Sequence, residues 1–314
     1  MLLSRHADSL FWLARYMERA ENAARILETA SRLASVPNGD SVDRNEWRAA
    51  IVSTGSQEAF DALFDEASPS AVIEFLAFSP QNSSSIRSCF ETARNNARSV
   101  RTALTIDVWE SINSTWLELK RYQGSGMSRQ ELGTFLNFVK EASLRFDGSA
   151  YRTMLRNDAY YFLRLGSYIE RADFTARILL ARSQLFDPER ETISGSLEYY
   201  QLSSLLRCVS SLTSYHWVYR ESLRPHLIAD LMIMREEMPR SLASCYENIA
   251  RFLDNLARDY GRHGKSQRSA RKTLSRLQEA DLSALTRSGL DGFLSEFIDE
   301  NGRLGAAIGE QYLG

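Results

Sequence analysis

Tyr168 to Leu179 reads YIERADFTARIL, and Tyr16 to Leu27 reads YMERAENAARIL; eight of the twelve positions are identical at an offset of 152 residues. A charged segment with apolar residues at helical spacing, written twice, predicts the same amphipathic helix in two places. A second pair follows in the same order. VIEFLAFSPQNSSSIRSCFE (72–91) aligns without a gap to IADLMIMREEMPRSLASCYE (228–247) at an offset of 156, sharing Ser85/Ser241, Ser88/Ser244, Cys89/Cys245 and Glu91/Glu247. Two matches whose offsets differ by only four residues are what a tandem duplication with a small insertion leaves. The expected fold is all-α, a helical bundle of two duplicated halves, residues 1–147 and 148–314, packed as one compact unit and meeting near Asp147-Gly148. By analogy with self-complementary homodimers, the halves are expected to relate by a pseudo-twofold axis.

The rest of the chain agrees with a helical reading. Only 6 prolines and 16 glycines interrupt the 314 residues, too few for many short strands and turns. Ser68-Pro69 and Asp187-Pro188 read as caps followed by a first-turn proline, and Ser128 with Glu131 as a capping box. SVPNGDS, YQGSGMS, RFDGS and YGRHGKS read as loops between helices, too short and mixed in composition to be linkers.

At 44% hydrophobic and 25% charged, with a formal charge of −2, the composition is that of a soluble globular chain. Its overall field is not built to capture nucleic acid or anionic membrane, so neither is an expected partner. MLLSRHADSLFW lacks the apolar core of a signal peptide, and no run approaches a membrane span, so a cytoplasmic location is expected. Cys89, Cys208 and Cys245 are odd in number and far apart, which predicts buried thiols acting as small apolar side chains.

On the first repeated helix, Glu18, Asn22 and Arg25 share one side with Glu21 beside them, opposite Leu13, Tyr16, Met17, Ala20, Ala24 and Leu27. In the second, Glu170, Asp173 and Arg177 take the places of Glu18, Glu21 and Arg25, and Ala172 and Ala176 permit close approach of a neighbouring helix. Each copy puts a carboxylate four residues before an arginine, the favourable order for an ion pair. Two readings stay open. The charges are solvated or semi-buried structural pairs, or they face each other across the halves and line a polar cleft. Phe11 and Phe174 on the polar side favour the cleft, and Arg19 and Arg171, at the edge of the apolar side, are then expected to have buried partners.

Arg87, Arg94, Arg98 and Arg101 are spaced to form one arginine stripe about 20 Å long on a single helix. Their counterparts at the 156 offset, Ala243, Ala250, Asp254 and Ala257, carry no such stripe. It is either a face solvated or paired with carboxylates, or a surface for a carboxylate or phosphate group, including an acidic peptide.

Most enzyme motifs fail. GRHGKS separates its glycines by two residues where a phosphate loop needs four. The four histidines lack zinc or di-iron spacing, and no nucleophile motif is present, so no metal and no cofactor are expected. Glu18/Glu21 and Glu170/Asp173 could chelate Mg²⁺, but the arginines beside them compete with a cation.

LSRHADSLFWLARYMERAENAARIL, SSIRSCFETARNNARSVR and YFLRLGSYIERADFTARIL together resemble the alpha-E domain family, bacterial all-helical proteins named for a Glu-Arg motif, over essentially the whole chain. Genes of that family sit beside, or are fused to, a circularly permuted ATP-grasp ligase, often with a transglutaminase-like protease. The resemblance implies an all-helical fold, an ATP-grasp ligase as partner and a place in peptide formation. The expected function is a non-catalytic or substrate-handling subunit; the alternative is an enzyme performing amide chemistry in the Glu/Arg cleft, with Glu18 or Glu170 as general acid/base. Homo-oligomerisation remains open.

Overall fold

The computed structural model describes residues 2–35, 45–124, 126–187, 195–281, 285 and 290–313, and among them every regular element is helical. In chain order the α-helices are α1 (Ser4–Leu33), α2 (Glu46–Thr54), α3 (Gln57–Asp61), α4 (Pro69–Ile73), α5 (Ile86–Ser99), α6 (Ile106–Leu119), α7 (Arg129–Thr153), α8 (Asp158–Leu180), α9 (Gly195–Cys208), α10 (Leu212–Tyr219), α11 (Pro225–Ile233), α12 (Leu242–Tyr260), α13 (Lys265–Gln278) and α14 (Leu290–Ile308). Their starts follow the sequence signals. Ser68 caps α4 with Pro69 in its first turn, Ser128 and Glu131 form a reciprocal capping box at α7, and Ser85 and Ser241 cap α5 and α12 through the amides of Ser88 and Ser244. Pro188 and most of SVPNGDS lie outside the described residues.

α1 and α8 pack against each other at the centre. Around α1 the neighbours run α5, α6, α7 and back to α1; around α8 they run α12, α13, α14 and back to α8. Close approach of the two central helices requires Gly166, because a Cβ there would stand 2.1 Å from the carbonyl oxygen of Phe11. The amide of Leu2 donates to Asp158 at 2.9 Å, tying the entry of α1 to the first turn of α8.

Two expectations are corrected. Arg145–Ser149, read as a loop, is helical, and α7 runs through Asp147-Gly148 without a break. A helix-interior glycine costs about 1 kcal/mol against alanine, but the buried row Leu132, Phe135, Leu136, Val139, Ala142, Phe146 and Ala150 spans the position and holds the helix together. Asp147 also pairs with Arg164 of α8. The second correction concerns the arginine stripe. α5 ends at Ser99, and Arg101 sits beyond it in a 3₁₀ turn, so the four arginines do not share one helix.

Candidate functional site

α1 is enclosed by helices on several sides, so the division of its surface into an apolar and a solvated half does not hold: Glu18, Glu21, Asn22 and Arg25 are as buried as Leu13 and Met17. Buried charges need partners, and these come largely from the opposite central helix. Glu18 accepts Arg171 Nε at 3.0 Å and Nη2 at 2.8 Å. In return Glu170 accepts Arg19 Nε at 2.6 Å and Nη2 at 3.1 Å. Arg19 and Arg171 thus have the buried partners expected of them, and each Glu-Arg pair of one helix is crossed with that of the other. Cys89 and Cys245 lie buried behind the two pairs, and burial pushes each thiol up to about 12, which leaves them as apolar filler; Cys208 is likewise buried.

The two crossed pairs are finished differently. Beside Glu18, Arg240 enters from the turn before α12 and donates to Glu18 at 3.0 Å and to Glu21 at 2.7 Å. Glu21 also accepts Arg25 at 2.8 Å and the Ser143 hydroxyl at 2.6 Å. Arg25 in turn reaches the Ser210 hydroxyl at 2.6 Å. Burial pushes the Glu18 carboxyl up, yet Arg171 and then Arg240 outweigh it and hold it near about 2. This end is closed and saturated.

Beside Glu170, the second cation is Arg15 of α1, at 2.8 Å and stacked over Trp12. Against burial, which raises it, Arg19 and Arg15 together lower the Glu170 carboxyl below its ordinary value. Asp173, in the place of Glu21, has among the described residues only Arg177, at 2.6 Å; burial raises its carboxyl above the ordinary aspartate value despite that pair. The expected four-residue pairs, Glu21–Arg25 and Asp173–Arg177, are therefore both formed. Where Arg240 stands in one arrangement, the aligned residue here is Ser84, whose short hydroxyl meets Arg19 at 3.2 Å. A cavity of about 710 Å³ opens in the space, bounded by α1, the end of α2, the turn before α5, α8 and α14. Asn82 pins that turn, donating to the Phe75 carbonyl at 3.0 Å and accepting the Ser84 amide at 2.9 Å. Phe174 and Asn22 also face the cavity; the Asn22 side chain is 5% exposed and its Oδ1 has no hydrogen-bond partner.

The stripe arginines lie elsewhere. Arg87 donates to the Tyr122 carbonyl at 2.9 Å, Arg94 to Asn113 at 2.9 Å, and Arg101 stacks over Trp109. Arg98 is exposed. Sequence reasoning missed Arg15 and Arg240 as members of the site, and placed Asn22 on the polar side without giving it a role. Among the described residues no group of three His, Cys, Asp or Glu converges as metal ligands, and no helix is long and apolar enough to cross a membrane.

No solved structure matches the chain. Uncharacterized proteins of Mycobacterium bovis and Mycobacterium tuberculosis are 23% identical to it over 313 residues, covering 93% of this chain and 34% of each relative. The chain therefore spans about a third of the length of the curated relatives it matches. The Alpha-E family, described as a predicted alpha-helical domain with a conserved ER motif, matches residues 2–313, and the crossed Glu18-Arg19 and Glu170-Arg171 pairs are two of the three ER dipeptides of this chain, the third, Glu189-Arg190, lying outside the described residues. The chain belongs to the Alpha-E family.

Proposed function

We infer that the chain is a helical substrate-handling unit, not catalytic by itself, of a cytoplasmic ATP-grasp-linked peptide-forming system. Substrate handling rests on the 710 Å³ cavity between the two motif helices, walled by side chains of both charges; sites of this size hold small organic ligands. The ATP-grasp partner follows from the family resemblance. It is supported by the length of the relatives, in which the matched part is one portion of a larger polypeptide.

The same reading takes the two helix rings as duplicated halves, 1–147 and 148–314, about a pseudo-twofold, with the division falling inside α7. Its support is the reciprocity of the Glu-Arg pairs, the matched serine caps and the matched order of neighbours around α1 and α8. The alternative, amide chemistry with Glu18 or Glu170 as general acid/base, has weaker support: each glutamate is gripped by two arginines, and both carboxyls are lowered, which makes them poor proton carriers near neutral pH.

The test incubates the purified chain with ATP and amino acids, alone and with an ATP-grasp ligase from the same organism, following phosphate release and peptide product. Turnover that needs the ligase and rises with the chain is the expected result. Turnover by the chain alone, or a ligase indifferent to it, overturns the proposal.

A further inference from the structure

The unequal finishing of the two Glu-Arg pairs carries one inference further. In the closed arrangement a guanidinium, that of Arg240, bridges the two carboxylates Glu18 and Glu21 at 3.0 and 2.7 Å. In the open arrangement the two corresponding carboxylates, Glu170 and Asp173, border a cavity, and Ser84 supplies no cation to bridge them. We propose that this cavity binds the guanidinium or primary ammonium of a small cationic amino acid, seated against Asp173 and Glu170 as Arg240 is seated against Glu21 and Glu18.

Three independent features point the same way. Among the described residues Asp173 is bonded by Arg177 alone, whereas its counterpart Glu21 takes Arg25, Arg240 and Ser143. Glu170 Oε1 accepts one bond, from Arg19, and an ionised carboxylate oxygen has capacity for a second. The Oδ1 of Asn22, buried and without a partner among the described residues, lines the same cavity, so a cation with several N–H donors finds acceptors there on Asp173, Glu170 and Asn22. Burial raising the Asp173 carboxyl is what a carboxylate short of one cation shows. The lining also supplies the other sign: Arg15 and Arg19 are paired with Glu170 and Arg177 with Asp173, while Arg303 is exposed at the rim, placed for the carboxylate of a zwitterion. Gly302 leaves room beside them.

The inference names the ligand class of the substrate-handling reading and rests on it in that respect. The experiment is calorimetric titration of the full chain with L-arginine, L-lysine and agmatine, the last keeping the cation without the carboxylate. L-arginine or L-lysine is expected to bind, with agmatine weaker. Asp173→Asn, which removes a charge-assisted hydrogen bond, is expected to weaken binding roughly ten- to hundredfold. Ser84→Arg is expected to abolish it by supplying in cis the guanidinium that Arg240 supplies to the other pair. Should Ser84→Arg fail to fold, Asn22→Leu, similar in shape but without the acceptor, is expected to weaken binding while the fold persists. No binding to the wild type, or binding unaffected by Asp173→Asn and by whichever of Ser84→Arg and Asn22→Leu is folded, overturns the proposal. A chain that stimulates its ligase but binds none of the three probes overturns this inference alone. One that binds them at this site while the ligase ignores it supports the site and sinks the ligase reading.

Discussion

Replacing Arg171 by alanine tests whether the crossed pairs hold the two central helices together. Arg171 retains 12% of its side-chain exposure and Glu18 5%, so the pair is effectively removed from water. Breaking a buried pair by deleting one partner costs about 3–5 kcal/mol. Here Glu18 keeps Arg240 at 3.0 Å, which offsets part of that penalty. A second route gives a similar size: a carboxyl held near about 2 instead of 4.5 corresponds to about 3 kcal/mol at neutral pH, shared between Arg171, Arg240 and Arg25. Arg171→Ala is therefore expected to lose about 2–4 kcal/mol, measured as the shift in urea denaturation followed by circular dichroism. Arg19→Ala is expected to lose less, because Arg19 is 26% exposed and Glu170 keeps Arg15. The pH dependence has a definite sign. Glu18 is lowered in the folded state, so its contribution is full above about 4.5 and is lost as pH falls through about 2. The gap between wild type and Arg171→Ala must narrow as pH is taken below the ordinary carboxylate range. A loss under about 0.5 kcal/mol at neutral pH, or a gap that widens on acidification, refutes the reasoning.

Asp173 carries the opposite sign: burial raises its folded-state carboxyl above 3.8, so its charge costs stability at neutral pH and the cost disappears as pH falls through the raised value toward 3.8. Asp173→Asn is accordingly expected to raise the melting temperature at neutral pH; a lower one contradicts this. Gly166→Ala drives a Cβ into the Phe11 carbonyl and is expected to lose about 1–3 kcal/mol, whereas Gly148→Ala meets nothing within 4 Å on α7 and is expected to gain about 0.5–1 kcal/mol, both read by thermal denaturation. Arg98→Gln, at an exposed site, is expected to leave the melting temperature unchanged but weaken binding of an acidic peptide at low salt, while Arg94→Gln loses its Asn113 bond and about 0.5–1.5 kcal/mol.

The helices and some of their starts were legible because caps and apolar spacing are local signals: Ser68 and Ser128 act where they were read, and Ser85 and Ser241, noted only as matched positions, are caps as well. RFDGS misled because a glycine and an aspartate resemble a turn, whereas the helix there is held by its neighbours on the buried row and by a partner in α8. The motif residues themselves were found through their repetition. That they face each other across the halves was one of two open readings; which carboxylate meets which arginine was not legible, since crossing depends on which helix faces which. Arg240 lies 222 residues from Glu18, yet a signal for it existed: it is the position where two otherwise matched segments place an arginine opposite Ser84. Arg15 had none, for its counterpart Ser167 hid it as an ordinary surface residue.

The crossing also sets an order of events during synthesis. Arg171 follows Glu18 by 153 residues and Arg240 follows it by 222, so α1, the first described helix to leave the ribosome, waits on the order of 10–40 s for the groups that neutralise it. Until then Glu18 and Arg19 must stay in water, because enclosing them without partners is too unfavourable, whereas Glu21 already has Arg25 and, once α7 is made, Ser143. The nascent first ring can gather α5, α6 and α7 around α1 while the face of α1 that meets α8 remains open. Closure comes only when α8 and the turn before α12 arrive, so α1, made before every other described helix, is among the last to be enclosed, and a chain stopped short of Arg240 keeps that face hydrated and its apolar surroundings available to other chains.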